Sequence, residues 1–325
     1  MDYAKDIILS SRISLKRNLK GYDFPSTMTY EESLTIIDIF RSIFGEKLLL
    51  ISEVDDATID KLVDEGILSN DAKDKLVKVA LVFEGDCTLV INDLDHLSIN
   101  ISSFGLDLTS AYKRVLEIEK VLDEHLDFAF SPSYGYLTSK ARDTGLGLDV
   151  AIKLFLFGMI DSSKSFFAFK QTLFFQGLFI KRFKENYQKA SLNDVYMLRN
   201  YGNYRQDMDQ YVEKFEANLQ IIVKNERKFR RNFKPLNNIE DRDIEENIDI
   251  ITNNLKNNLY KSIDKILNAL YALKKYNILG FKTGLGADEI DYLIKNITKA
   301  KYVGNVDPKR SDFLNTYIGE VYGKQ

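Results

Sequence analysis

The chain predicts an α+β fold, a mixed strand-and-helix portion followed by a small helical domain. Three observations carry this. Before Pro235, short β-rich runs alternate with turns; a capped amphipathic helix lies among them; after Pro235 the strand signals fade and helical periodicity takes over. The division near Pro235 sets domains at 1–235 and 236–325. At 325 residues, with 45% hydrophobic and 29% charged content, the chain can bury a substantial core and divide in this way.

Taken in order, Tyr30 to Phe44 reads as a helix opened by Thr29, with Glu32 three residues on in a capping-box pattern. Strands follow at Leu48 to Ile51, Lys78 to Phe83, Thr88 to Asn92 and Leu97 to Ile101. The last two form a hairpin turning at Asp93-Leu94-Asp95. Leu108, Ala111, Val115, Ile118 and Leu122 give Leu106 to Leu126 a helical stripe, and Phe128 to Phe130 is again strand-like. From Gln206 to Arg230, Met208, Tyr211, Val212, Phe215, Leu219, Ile222, Val223 and Phe229 line one face of a helix that closes the first domain. Beyond Pro235, apolar residues recur every three or four positions from Ile248 to Leu273, predicting one long helix. Gly280, Gly284 and Gly286 interrupt the chain before a helix resumes over Ala287 to Ile297.

Composition excludes some functions. A formal net charge of -3 and a pI near 5.7 offer no overall electrostatic gain on nucleic acid. The densest basic cluster, Lys224 to Arg231, reads as the solvated face of a helix. A single cysteine, Cys87, precludes an internal disulfide, suits a reducing, cytoplasmic compartment, and reads as a buried structural thiol. Asp2, Lys5 and Asp6 precede any apolar run, unlike a signal peptide. Ala151 to Ile180 is apolar but broken by Lys153, Asp161, Lys164, Lys170 and Gln171, which is no membrane span.

Three stretches carry a more specific signal: Ser10 to Asn18 (SSRISLKRN), Asn92 to Leu97 (NDLDHL) and Gly135 to Leu148 (GYLTSKARDTGLGL). In order, spacing and flanking residues the chain resembles the phosphagen kinase superfamily, and most closely its bacterial protein-arginine kinase branch. Members of that branch read roughly S-S-R-I-R-L-A-R-N, N-E-E-D-H-L-R and G-Y-L-T-x-C-P-x-N-x-G-T-G-L-R-A. The resemblance implies an antiparallel sheet flanked by helices, Mg-ATP as cofactor, and transfer of the γ-phosphoryl to a guanidinium nitrogen. That chemistry needs a carboxylate to orient a group whose pKa exceeds about 12, and cations to cradle the phosphates.

By the same resemblance, the family Glu falls on Leu94 with Asp93 beside it, and the family Cys falls on Lys140, a cation where a cationic substrate would sit. Ser10, Ser11, Arg12 and Arg17 keep residual nucleotide-binding positions, while Ser14, Ser98 and Asp149 stand where Arg is expected. A unit charge 4 Å from a phosphate oxygen is worth about 4 kcal/mol at an effective dielectric near 20, so an Asp for Arg exchange at 149 costs about twice that. Of the glycine-rich specificity loop between two strands, only Arg182 survives in Arg182 to Ala190. The branch's phosphoarginine-binding R-D-x-x-R-A motif has its nearest match at Arg310, where the first Arg alone fits.

Other residues have plainer roles. His96 is expected to be a structural hydrogen-bonding residue, and Lys140 an exposed loop lysine rather than a nucleophile. Asp93, Asp95, Asp143 and Asp149 either meet around a hard cation or are solvent-facing turn residues, the second being favoured. Gly145 and Gly147, placed before a helix, are weak evidence for anion binding on their own.

Loss at five separated sites points to a pseudoenzyme, a kinase scaffold serving as a binding or regulatory partner in bacterial stress or protein quality control. Partners implied by the resemblance are an authentic protein-arginine kinase, its zinc-binding activator, a heat-shock repressor, a Clp-type ATPase or a second copy of the chain. The alternative is an active kinase in which Asp93 supplies the carboxylate and Arg12, Arg17 and Arg182 hold the phosphates; nucleotide binding without turnover lies between the two.

Overall fold

The computed structural model describes residues 4–159, 163–184, 191–201, 207–233, 239–257, 259–260 and 262–300. Arg310, the Glu185 to Ala190 part of the specificity loop and the boundary at Pro235 lie outside them. The chain divides into two compact units, Met1–Phe155, Phe167–Lys181 and Tyr196–Val223 in the first, and Leu156–Phe166, Arg182–Val195 and Lys224–Gln325 in the second.

The strands are β1 (Ile8–Arg17), β2 (Leu48–Leu50), β3 (Ala80–Glu84), β4 (Cys87–Ile91), β5 (Leu97–Phe104), β6 (Phe130–Ser131), β7 (Gly135–Tyr136), β8 (Leu148–Phe155), β9 (Leu178–Lys184) and β10 (Ser191–Asn200). Eight of them make one sheet in the order β2-β3-β4-β5-β1-β8-β10-β9, and β6 pairs with β7. β1 is central, antiparallel to β5 on one side (Ser14 opposite Asn100, Lys16 opposite Ser98) and to β8 on the other (Ser14 opposite Asp149).

Side chains alternate across a strand, so each strand sends two chemistries in opposite directions. Ile13 and Leu15 of β1, Ile99 and Ile101 of β5, and Val150 and Ile152 of β8 are buried in the core. Arg12, Ser14 and Lys16, Ser98 and Asn100, and Asp149 take the other face, which is also largely buried. Helix α3 (Leu108–Asp123) packs on β1 and β5 through Ala111, Val115 and Leu122.

Helix α1 (Tyr30–Phe44) has the predicted ends: Thr29 Oγ1 accepts from Glu32 N at 3.2 Å, and the Glu32 carboxylate accepts from Thr29 N at 2.8 Å. Its buried Ile36, Ile37 and Phe40 contribute about 1.5–3 kcal/mol each by leaving water. Helix α2 (Asp56–Asp64), capped by Asp55, joins Ile59, Leu62 and Val63 to Leu81 and Val90 of the sheet. The predicted hairpin is β4 and β5; its last pair is Ile91 with Leu97, and Asn92, in the left-handed region at φ 59°, opens the tip. Cys87 lies in β4 with its thiol buried, and burial pushes its pKa up to about 12.

Two helical predictions need correction. Gly145 and Gly147 precede strand β8, not a helix, as the alternation of Leu148, Val150, Ile152 and Leu154 requires. The single helix from Ile248 to Leu273 is two, α6 (Asp241–Lys256) and α7 (Ile263–Ile278). Asn253, Asn254 and Asn257 weaken the first at its end, and Ser262, extended at φ -142°, starts the second by accepting from Lys265 N at 3.4 Å.

In the second unit, α7 and α8 (Ala287–Ala300) share a core of Ile266, Leu270, Leu273, Ile290, Leu293 and Ile297. Helix α4 (Ser163–Phe175) precedes β9, and helix α5 (Met208–Arg231) ends in the basic cluster, whose expected full solvation holds for Lys224, Arg227, Lys228 and Arg231 but not for Arg230. Arg230 is buried beside Glu226, which accepts from its Nε at 2.7 Å and from the backbone N–H groups of Phe157, Gly158 and Met159 at 2.9–3.0 Å. No helix among the described residues is long and apolar enough to cross a membrane.

One glycine is decisive for the sheet. Gly147 has φ +66°, and a Cβ there would overlap Arg17 Nη1 and come 2.5 Å from the Lys16 carbonyl oxygen. Gly147→Ala therefore adds left-handed strain of about 1–2 kcal/mol to a steric clash with backbone. We expect a loss of about 2 kcal/mol or more in urea denaturation, and an unchanged midpoint would contradict the close approach.

Candidate functional site

A cleft of about 250 Å³ opens on the polar face of the sheet, within the first unit. Its floor is Arg12, Ser14 and Lys16 of β1, Ser98 and Asn100 of β5, Asp149 of β8 and Arg199 of β10. The hairpin tip, Lys140 and the segment from Gly66 to Asn70 form its walls.

Asp149 sits between two guanidinium groups. Arg12 Nη2 donates to its Oδ2 at 3.0 Å, while Arg199 donates from Nη2 to Oδ2 and from Nε to Oδ1, the latter at 3.2 Å. Burial alone would raise the Asp149 pKa, yet Arg199, Lys16 and Arg12 together hold it well below the usual carboxylate range. Arg12 also donates to the Gly66 carbonyl, tying the cleft wall to the floor.

Asp93 is engaged in the same manner. It is 4% exposed, and its carboxylate accepts from Ser69 N at 2.8 Å, from the Ser69 hydroxyl, and from Lys75 Nζ at 2.7 Å. The neighbouring Leu94 lines the cleft without a charge. Asp143 pairs with Lys16 and lies 3.2 Å from Arg142 Nε. Asp95 accepts from Asn18 Nδ2 and from Ser139 N, both at 2.7 Å, which locks the hairpin tip to the 135–147 loop.

All four aspartates are therefore buried and separately paired, which corrects the expected solvent-facing turn residues. No group of three or more metal-ligating side chains assembles among the described residues.

The sequence grouped Arg12 with Arg17, but consecutive alternation sends them to opposite faces. Arg17, with 0% exposure, donates from Nε to Glu119 of α3 at 2.6 Å and to the Leu146 carbonyl at 3.0 Å, with the Tyr136 ring 3.5 Å from its Cζ. Ser11 is also outside the cleft; its hydroxyl accepts weakly from Asp107 N at 3.4 Å, and Ser10 pairs with Phe104 and Lys153 along the strands. Ser14 and Ser98 donate to Asn100 Oδ1 at 2.6 and 3.2 Å. Arg182 is an exposed residue of β9 in the second unit.

Lys140, at the family Cys position, has no carboxylate partner among the described residues. Partial burial lowers its pKa first, and the nearby cations Lys16 and Arg142 lower it further. Arg199 escaped the sequence reading because it lies outside the three motifs; the buried acid at 149 was the available signal, since such a charge demands a cation.

The donor set does not fit the triphosphate of Mg-ATP as the resemblance would place it. Arg12 and Arg199 are already engaged by Asp149, Lys16 is paired with Asp143, and Arg17 is sealed under α3.

Sheet, hairpin and cleft together define a protein of the guanidino-phosphotransferase class. The family model for the ATP:guanido phosphotransferase C-terminal catalytic domain matches residues 36–229, more than half of the chain, and the chain belongs to that family. It is 27% identical over 260 residues to the protein-arginine kinase of Caldanaerobacter subterraneus subsp. tengcongensis, covering 74% of this chain and 75% of that protein. With the protein-arginine kinase of Geobacillus sp. (strain WCH70) it shares 32% over 162 residues, 46% of this chain and 45% of the relative. Among solved structures, the substrate-free duplicated taurocyamine kinase from Schistosoma mansoni has the same fold, with a TM-score of 0.59 and 18% identity, over 70% of this chain and 35% of that one. Lombricine kinase gives 0.57 and 15%, over 70% and 68%.

His96 has the expected structural role. Its Nδ1 accepts from Leu19 N at 2.9 Å, so the neutral ring carries its proton on Nε2, which donates to the Asp23 carbonyl at 2.8 Å. Burial lowers its pKa below 6.5, outweighing the Asp23 bond and the charges of Asp95 and Glu32. The unfolded ring takes up a proton first as pH falls, so this contribution to stability is present above about pH 6.5 and lost below it. The urea midpoint should drop between pH 7.5 and 5.5, and more steeply in the parent than in His96→Gln; equal slopes would contradict the assignment.

Proposed function

We propose that this chain is a guanido-kinase-fold pseudoenzyme that has lost phosphoryl transfer and acts as a binding or regulatory partner in bacterial protein quality control. The observation that carries it is the Asp149 carboxylate clamped by Arg12 and Arg199 in the cleft. A group transferring phosphoryl needs free cations aimed at developing charge, and here the charge they face is already supplied by the protein.

The carboxylate side supports the same conclusion. A base for a guanidinium must accept from the substrate, whereas both Asp93 oxygens already accept from Ser69, with Lys75 adding its ammonium group. Leu94, next to it, offers no proton acceptor. The relatives' name, protein-arginine kinase, makes the partner set of that system the natural one to examine: an authentic kinase, its zinc-binding activator, a heat-shock repressor, a Clp-type ATPase, or a second copy.

Melting with Mg-ATP and Mg-ADP, followed in the same tubes by a phosphoarginine assay on a protein substrate, tests this proposal. We expect no product and no nucleotide-dependent stabilisation. Product that disappears in Asp93→Asn would overturn it in favour of an active kinase with a remodelled site. Stabilisation without product would retain the loss of turnover and assign nucleotide binding. With catalysis absent, co-elution with each recombinant partner in turn identifies the regulatory role, and failure with all of them removes it.

A further inference from the structure

We propose that the outward face of helix α4, with the adjoining Tyr201, docks an acidic, apolar-anchored segment of a partner protein. The inference rests on the proposed binding role and adds to it the chemistry of the partner.

Helix α4 is apolar on two sides. Leu173 is buried, which accounts for one of them. Phe167, Lys170, Gln171 and Phe174 recur at three- and four-residue spacing along the other, with Phe175 beside them, and all five are exposed. The exposure is large, 63% for Phe167, 53% for Phe174 and 87% for Phe175. Tyr201, just past β10 and 47% exposed, extends this surface. Its ring centre lies 5.4 Å from that of Phe174, and Phe179 of β9 meets it edge-on at 6.4 Å. A surface helix ordinarily turns charged side chains to water, and α4 turns rings there instead. At ~200 Å² for each aromatic side chain, the four exposed rings leave roughly 500 Å² of apolar surface in water. That is at the upper end of what a monomer shows, and it is enough for the apolar core of an interface of about 800 Å² per partner.

Charge selects the occupant. The chain carries 48 acidic residues in 325, yet no Asp or Glu occurs between Asp161 and Glu185. Cations of this stretch flank the rings: Lys170 lies in the exposed stripe of α4, and alternation puts Lys181 on the same side of β9 as Phe179. Burial lowers the Lys181 pKa, and the guanidiniums of Arg199 and Arg142 lower it further, so the charge around that end of the face is positive. An aromatic centre with a cationic rim matches a segment that brings aliphatic or aromatic anchors flanked by carboxylates. A second copy fits less well, because an isologous contact sets the same lysines against one another. A lipid surface also fits less well, since anionic membranes are held by clusters of about four to eight basic residues. Rings that already rest on one another lose little freedom on binding, which suits a docking face.

A displayed library of random peptides, selected on the parent chain and counter-selected on Phe174→Ser/Phe175→Ser, tests the proposal. Both positions are open to solvent, so the variant should melt with the parent. Peptides kept by the parent and refused by the variant should combine Asp or Glu with Leu, Phe or Trp. Synthesised and labelled, the commonest should bind the parent in fluorescence anisotropy and weaken with added sodium chloride. Its Kd should rise about tenfold on Lys170→Glu and about tenfold or more on Phe175→Ser. Selection of no such peptide, or of peptides without acidic residues, overturns the proposal. A parent dimer that the double variant converts to monomer in sedimentation also overturns it and assigns the face to a second copy. So does a parent that sediments with phosphatidylserine vesicles when the variant does not, which assigns the face to lipid.

Should Phe174→Ser/Phe175→Ser fail to fold, Lys170→Glu/Phe175→Ser takes its place in the counter-selection. Failure of both to fold would make the face part of the chain's own packing and overturn the proposal. None of these residues lines the cleft, so phosphoarginine formation by the parent would defeat the proposed function without touching this result.

Discussion

The pairing of Arg12 and Arg199 with Asp149 is the interaction on which the cleft depends, because it lets three charges remain under a sheet face that water barely reaches. An isolated ion in such a place costs several kcal/mol, and breaking one member of a buried pair is more damaging than replacing the whole set. The same requirement repeats along the floor and walls. Lys16 holds Asp143, Lys75 and Ser69 hold Asp93, and the serines at 14 and 98 share Asn100. Each arrangement binds a different stretch of chain to β1 or to the hairpin, so electrostatic satisfaction and the shape of the cleft are the same fact.

The hairpin tip shows a motif held in place by structural bonds alone. Asn18 receives the His96 N–H and gives its own amide to Asp95; Asp95 takes Ser139 N; His96 reaches both Leu19 and Asp23. These residues match the family pattern because they fasten three segments together, and none needs a substrate to do so. Leu94, between them, presents an aliphatic side chain at the family Glu position and joins the tip only through its carbonyl, which accepts from the Ser139 hydroxyl.

Much of the first unit was legible in the sequence. Thr29 with Glu32 marked α1, the runs around Cys87 and Leu97 marked the hairpin, and the stripes from Leu108 and Met208 marked α3 and α5. Those signals are local, a cap or a period, and survive without knowledge of neighbours. The apolar spacing from Ile248 to Leu273 misled because Leu255, Leu259 and Ile263 stay in step across the break, while the asparagines and Ser262 that cause it speak only through backbone preference. In the site, the family motifs brought attention to Arg12, Asp93, Lys140 and Asp149. Their partners Arg199, Lys75, Ser69 and Gly66 are 18 to 54 residues away from them in sequence, and pairing over such separations is a property of the folded sheet alone.

The clamp around Asp149 also bears on the routes by which this sequence can change. An arginine at 149 would restore the family pattern at that position, yet it would set a third guanidinium against Arg12 and Arg199 in a space now balanced by a carboxylate. Loss of either arginine alone would in turn leave the other facing the acid in an altered balance. The three positions are thus tied to one another: an exchange at any one of them unbalances the other two, so an arginine at 149 fits this cleft only beside a change at 12 or 199, or with an anion held between them.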